Sequence, residues 1–103
     1  MEGTELVAFN IIASVGTARS SYIAAIDEAA NGNFEEAEKL IKEGQEAFNG
    51  GHSAHGELLT KMANGEKVEM TLLLTHAEDQ LMSAEAFGIL AEKFVTLYKK
   101  VNG

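Results

Sequence analysis

Apolar and small side chains recur every seven residues along much of this chain, with a second set three or four residues behind the first. That is the spacing of helix faces packed in a bundle. In the middle third, Ile41, Phe48, His55 and Met62 fall seven apart, and Ala37, Gly44, Gly51 and Leu58 complete the seam. The last third repeats the pattern with Ala77, Ala84, Ala91 and Tyr98 beside Leu73, Gln80, Phe87, Phe94 and Val101. Small residues on both seams allow close helix approach. Proline is absent, and the strong breakers are Asn31-Gly32-Asn33 and Asn64-Gly65, which cut the chain into three long pieces. We therefore expect helices from about Thr4 to Ala30, Phe34 to Ala63 and Val68 to Val101, each roughly 40 to 50 Å long. Asn33 and Thr71 are the expected N-caps or near-caps. Short connections between long helices force antiparallel neighbours, so the expected fold is all-α, an antiparallel three-helix up-down-up bundle.

Seams this long cannot all be covered within one chain, because each helix masks only part of the others. Self-association is expected, and the seam pattern alone does not choose between dimer, trimer and tetramer. At 103 residues the chain has room for one domain, spanning 1–103, and a content of 46% apolar residues is enough to build its core.

Lys and Arg number 8 against 16 Asp and Glu, a net charge of −8 that repels a phosphate backbone, so nucleic acid is not an expected partner. Cysteine is absent, which removes disulfides, thiolate metal sites and cysteine nucleophiles. The first apolar stretch is punctuated by Asn10 and Ser14, unlike a secretion signal, and no run approaches the ~20 apolar residues that cross a bilayer. The expected setting is cytoplasmic.

Chemistry is sought where polar groups interrupt an apolar seam, since burying them is costly unless they find partners. His76, Asp79, Gln80 and Ser83 form such a patch, about two turns long, on the third helix. A neutral imidazole can attack phosphorus through one ring nitrogen and release it again, which suits a reversible phosphoryl relay on His76. Gln80, one turn away, could hold the other ring nitrogen or donate to the phosphoryl oxygens; Ser83 is a weaker candidate. Asp79 would repel an incoming anion unless it faces elsewhere or binds a cation.

His52 and His55 stand three apart on the second helix, a spacing that can ligate metal but is expected here to serve packing or the surface. Arg19 sits seven residues from both Ile12 and Ile26; an ion pair with one of the many carboxylates is its expected role, and a contact to phosphate is the sharper alternative. Two other functions compete. One is a metal-binding bundle using His52, His55, His76, Asp79 and a carboxylate such as Glu57, which is weakened because no Glu stands three residues before any histidine. The other is a non-catalytic helical adaptor in which His76 is inert.

Three stretches carry a family resemblance: Gly16-Thr17-Ala18-Arg19-Ser20, Asn31-Gly32-Asn33-Phe34 and Thr75-His76-Ala77-Glu78-Asp79-Gln80-Leu81-Met82. Through them nearly the whole chain resembles the lactose/cellobiose-type IIA components of the phosphoenolpyruvate-dependent sugar phosphotransferase system. The resemblance implies that His76 is phosphorylated by the carrier HPr and that phosphate leaves to a cysteine of a IIB component. A membrane-spanning IIC component and a β-linked disaccharide or related sugar then lie downstream. It also implies a homotrimer of three-helix subunits, in which Asp79 lies near the threefold axis and a divalent cation, magnesium, relieves the repulsion of the carboxylates. The chain departs from the family's commonest motif at Glu78, where glutamine is usual, and at Gln80, where a second histidine is usual. In helix two His52 matches the family pattern, whereas His55 and Gly56 do not.

Overall fold

The computed structural model describes residues 3–102 of the chain. It contains helices α1 (Gly3–Ala30), α2 (Phe34–Ala63) and α3 (Leu72–Asn102) in a rod of 53 × 24 × 18 Å. A rod this narrow has one thin core and a long perimeter. Among the described residues, no helix is long and apolar enough to cross a membrane.

Both breakers act through glycine. Gly32 and Gly65 adopt positive φ values of 81° and 84°, a conformation that other residues rarely take, and each lies just past the end of its helix. At the first turn Gly32 N–H donates to Ala29 O and Asn33 N–H to Glu28 O. At the second, Gly65 N–H donates to Met62 O and Glu66 N–H to Lys61 O. These are paired Schellman bonds, which satisfy the last carbonyls of α1 and α2 and turn the chain back on itself.

The two expected caps behave differently. Thr71 caps α3 with its side chain, Oγ1 accepting from Leu74 N–H at 3.1 Å. That cap starts α3 at Leu72 rather than near Val68, and it leaves Val68 outside the helix, packed on the edge of the core. Asn33 occupies the N-cap position of α2, and its carbonyl accepts from Ala37 N–H, but its side chain does not cap. Instead Nδ2 donates to Glu28 Oε2 at 2.7 Å, tying the turn to the end of α1.

Close contacts fix the topology. Gly51 meets Val15 and Gly44 meets Tyr22, so residue numbers fall along α2 as they rise along α1, while Tyr22 also meets Gly88 of α3. The core divides into two clusters. Ala8, Ile11, Val15, Leu58, Leu74, Ala77, Leu81 and Ala84 fill one half. Ala18, Tyr22, Ala25, Ala29, Ala37, Ile41, Ala91 and Val95 fill the other.

The seams read from the sequence are half right. Ala37, Ile41, Gly44, Gly51 and Leu58 are buried on α2, as are Ala77, Ala84 and Ala91 on α3. Met62, Phe94 and Val101 are exposed. The second α3 seam drifts outward because a three-helix subunit offers each helix only two neighbours. Leu73, Gln80 and Phe87 stay half-buried, and only Phe94 and Val101 of that seam join a line of uncovered apolar residues with Leu72, Leu90 and Leu97.

Candidate functional site

The polar patch of α3 lies in the gap of that outward line. His76, Asp79 and Ser83 continue the spacing between Leu72 and Leu90, and all three are exposed. The patch thus interrupts a seam that faces away from the subunit core. The polar side chains are hydrated in the single chain, and no buried polar atom is left without a partner among the described residues.

Around α3 the patch divides three ways, because successive residues are rotated by about 100°. Glu78 turns toward α2, where its Oε2 lies 2.5 Å from His55 Nε2, at 34% and 19% side-chain exposure respectively. Gln80 turns toward α1, where its Oε1 accepts from Arg19 Nη1 at 2.5 Å in a half-buried bond. His76 and Asp79 point out between these sectors, and neither takes part in a hydrogen bond or ion pair among the described residues.

Among the described residues Arg19 therefore does not make the ion pair expected of it. A neutral amide oxygen takes the place of a carboxylate, and the guanidinium keeps its full charge on the α1–α3 flank. The same bond narrows what Gln80 can do. A guanidinium has donors and no acceptor, so the oxygen of the Gln80 amide must be the atom that faces it. The Nε2 donors of Gln80 are left on the other side. Gln80 is thus suited to donate to a phosphoryl oxygen rather than to accept from the His76 ring.

The histidines of α2 do not join the patch as ligands. His55 is held by Glu78. His52 is exposed and leans on the Phe48 ring, with centroids 5.9 Å apart. Among the described residues, no group of three or more His, Asp or Glu side chains converges as a metal site, so the metal-binding bundle has no ligand set within one chain. The expectation of packing and surface roles for His52 and His55 agrees with these positions.

The sequence did not identify the His55–Glu78 link. Both residues depart from the commonest family pattern, and that paired departure was the available signal. The Arg19–Gln80 link had a fainter one: Arg19 is the sole arginine of the chain and sits on an otherwise apolar stripe.

Chemically, the arrangement offers a solvent-exposed imidazole near the start of a helix, whose N-terminal dipole favours an anion. An amide donor stands one turn away, and a guanidinium is held against that amide.

Known proteins share this architecture. The model of the family described as "PTS system, Lactose/Cellobiose specific IIA subunit" matches residues 6–99. The chain is 40% identical over 101 residues to the lichenan-specific phosphotransferase enzyme IIA component of Bacillus subtilis, covering 98% of this chain and 92% of that protein. It is 33% identical over 96 residues to a lactose-specific EIIA component of Staphylococcus epidermidis, covering 93% of this chain and 92% of that one. Among solved structures, the cellobiose-specific enzyme IIA from Bacillus anthracis superposes with a TM-score of 0.94 at 38% identity, covering 99% of this chain and 94% of that one. A IIA(Chitobiose) chain solved in complex with HPr superposes with a TM-score of 0.88 at 27% identity over 100% of both chains.

Proposed function

The chain belongs to the lactose/cellobiose-specific IIA family of the phosphotransferase system, and on that premise we propose that His76 is the histidine through which it relays phosphate. Members of the family are phosphotransferases, which displaces the inert adaptor as a reading of this chain. The observation that carries the proposal is the outward, unengaged imidazole of His76, one turn from the Gln80–Arg19 pair.

The relay takes phosphate from the phosphohistidine of HPr, the partner in the IIA(Chitobiose) complex, and passes it to a cysteine of a IIB component. In the first step the lone pair of one His76 ring nitrogen attacks phosphorus. The P–N bond to the donor imidazole breaks, its electron pair stays on the donor, and no water or net proton is consumed. The chain works in the cytoplasm, upstream of a membrane IIC component that carries a β-linked disaccharide or a related sugar.

The test is incubation with phosphoenolpyruvate and the two general phosphotransferase proteins, followed by intact mass measurement. The expected result is a gain of one phosphate, acid-labile and base-stable, which disappears in His76→Gln. A wild type that gains nothing, or a His76→Gln protein that still gains it, overturns the assignment.

The working form is a homotrimer. The uncovered line on α3, together with exposed Leu6, Phe9 and Ile23 on α1, is an apolar surface that copies of the chain can cover for one another. Asp79 is a lone exposed carboxylate within that line. Carboxylates from three copies would converge and repel, and as hard oxygen donors they suit a divalent cation such as Mg2+. Bound there, the ion would neutralise them, a role in assembly distinct from the chemistry of His76. Analytical ultracentrifugation is expected to show a folded trimer for Asp79→Leu and a loosened one for wild type treated with chelator. A wild-type trimer indifferent to complete metal removal counts against the cation.

A further inference from the structure

We infer that Arg19 is a phosphoryl-binding residue of this relay, held by Gln80 so that its remaining guanidinium N–H groups meet the phosphoryl oxygens on His76. This role presupposes that His76 is the acceptor.

Charge is the first ground. The chain has 16 acidic residues and a single arginine, yet the half-buried Arg19 bonds a neutral amide oxygen. The ion pairs among the described residues are His55–Glu78 and Lys99–Glu38, and Arg19 belongs to neither. A guanidinium partly withdrawn from water without a counter-ion has given up solvation that a carboxylate would ordinarily replace. It retains an uncompensated charge that an arriving dianion can satisfy.

Geometry is the second. Gln80 lies four residues beyond His76, so the two side chains neighbour each other on α3, and Arg19 reaches that turn from α1. One of the five guanidinium donors is spent on Gln80 Oε1, and the planar fork that remains matches phosphoryl oxygens. Because Gln80 turns its oxygen to Arg19, its own Nε2–H groups face away from the guanidinium and are free to donate. The phosphoryl group would thus meet donors from two helices, one of them charged.

The third ground is need. The chain carries a net charge of −8, so without a cation beside His76 the site would resist a dianion. Arg19 supplies that cation. A bond that merely ties α1 to α3 would leave the energetics of the phosphoryl group untouched, and this separates the two roles experimentally.

The experiment phosphorylates wild type, Arg19→Gln and Arg19→Lys from phosphoenolpyruvate through HPr. It reads the equilibrium ratio of phosphorylated chain to phosphorylated HPr by intact mass, and the 31P resonance of the phosphohistidine. Arg19→Gln is expected to lower that equilibrium constant about tenfold and to move the 31P resonance, with Arg19→Lys recovering part of both. Equilibrium and resonance unchanged in Arg19→Gln would overturn the role. Should that variant not fold, the wild type alone decides: the side-chain 15N–H signals of Arg19 shift on phosphorylation if it binds the group, and their constancy refutes it. A wild type that takes up no phosphate on His76 fails the functional reading instead, before Arg19 is tested.

Discussion

The two halves of the rod solve the same packing problem in opposite ways. In the half around Tyr22 the core is mostly alanine, and one large ring fills it: a Cβ on Gly44 would lie 2.5 Å from Tyr22 Cε1, and one on Gly88 2.8 Å from Cζ. Its interhelical polar links, Lys99–Glu38 and Gln45–Glu92, are exposed. In the half around Ile11 and Leu74 branched aliphatics make the core, and the links from Glu78 to His55 and from Gln80 to Arg19 are half-buried. Exposed links contribute little in water, whereas half-buried ones fix side-chain positions. The first half is held by shape. The second adds polar bonds that set the surroundings of His76.

Breaking the shape-held half should have the largest effect. Gly44→Ala forces a methyl against a ring that cannot retreat, because Gly88 backs it on the far side. Even after the gain in helix propensity, we expect a loss of about 1 to 3 kcal/mol in urea unfolding, with phosphorylation of the folded protein retained. Gly16→Ala is the control: nothing lies within 4 Å of its added Cβ in the single chain, so the same substitution there should not destabilise the subunit. Equal losses at the two positions would refute the pinched ring.

Next in size is the coupling between His55 and Glu78. A double-mutant cycle with alanine at each should return about 1 kcal/mol near neutral pH. The same cycle on Lys99 and Glu38, whose side chains are 41% and 60% exposed, should return less than about 0.5 kcal/mol. Reversal of that order would undo the contrast between the halves.

The smallest effect at neutral pH belongs to Tyr22→Phe, and it should grow in alkali. Burial, and secondarily the charge of Glu92, raise the Tyr22 phenol above its ordinary value of 10.0. The unfolded chain therefore releases this proton first, and the folded chain binds more protons between the two values. The stabilising contribution is full below about pH 10 and is lost as pH rises through the folded value. Unfolding midpoints measured from pH 9 upward should fall less steeply for Tyr22→Phe than for wild type; parallel curves would count against it.

Much of the helical layout was legible because its signals are local. Asn31-Gly32-Asn33 and Asn64-Gly65 mark the turns, since glycine alone adopts the required positive φ at little cost. The pattern places the start of α3 a few residues early because Val68 and Met70 are apolar, whereas the Thr71 cap opens the helix at Leu72. The site was legible in part. His76, Asp79 and Gln80 were marked by their polarity on an apolar seam, but the partners of Arg19, Gln80, His55 and Glu78 were not, since each lies on another helix.

By itself the sequence determined three helices, their order and turns, and which side chains share a face, because turn chemistry and helical periodicity are properties of consecutive residues. The rotation and register of each helix against its neighbours were decided by tertiary packing, through the fit of Tyr22 between glycines and of Val15 against Gly51. Those choices left His76 and Asp79 free on the outward line of α3 that Leu72 and Leu90 bound, and brought Arg19 to Gln80. Period tells which residues lie together on one helix, and only the contact between helices tells what they face.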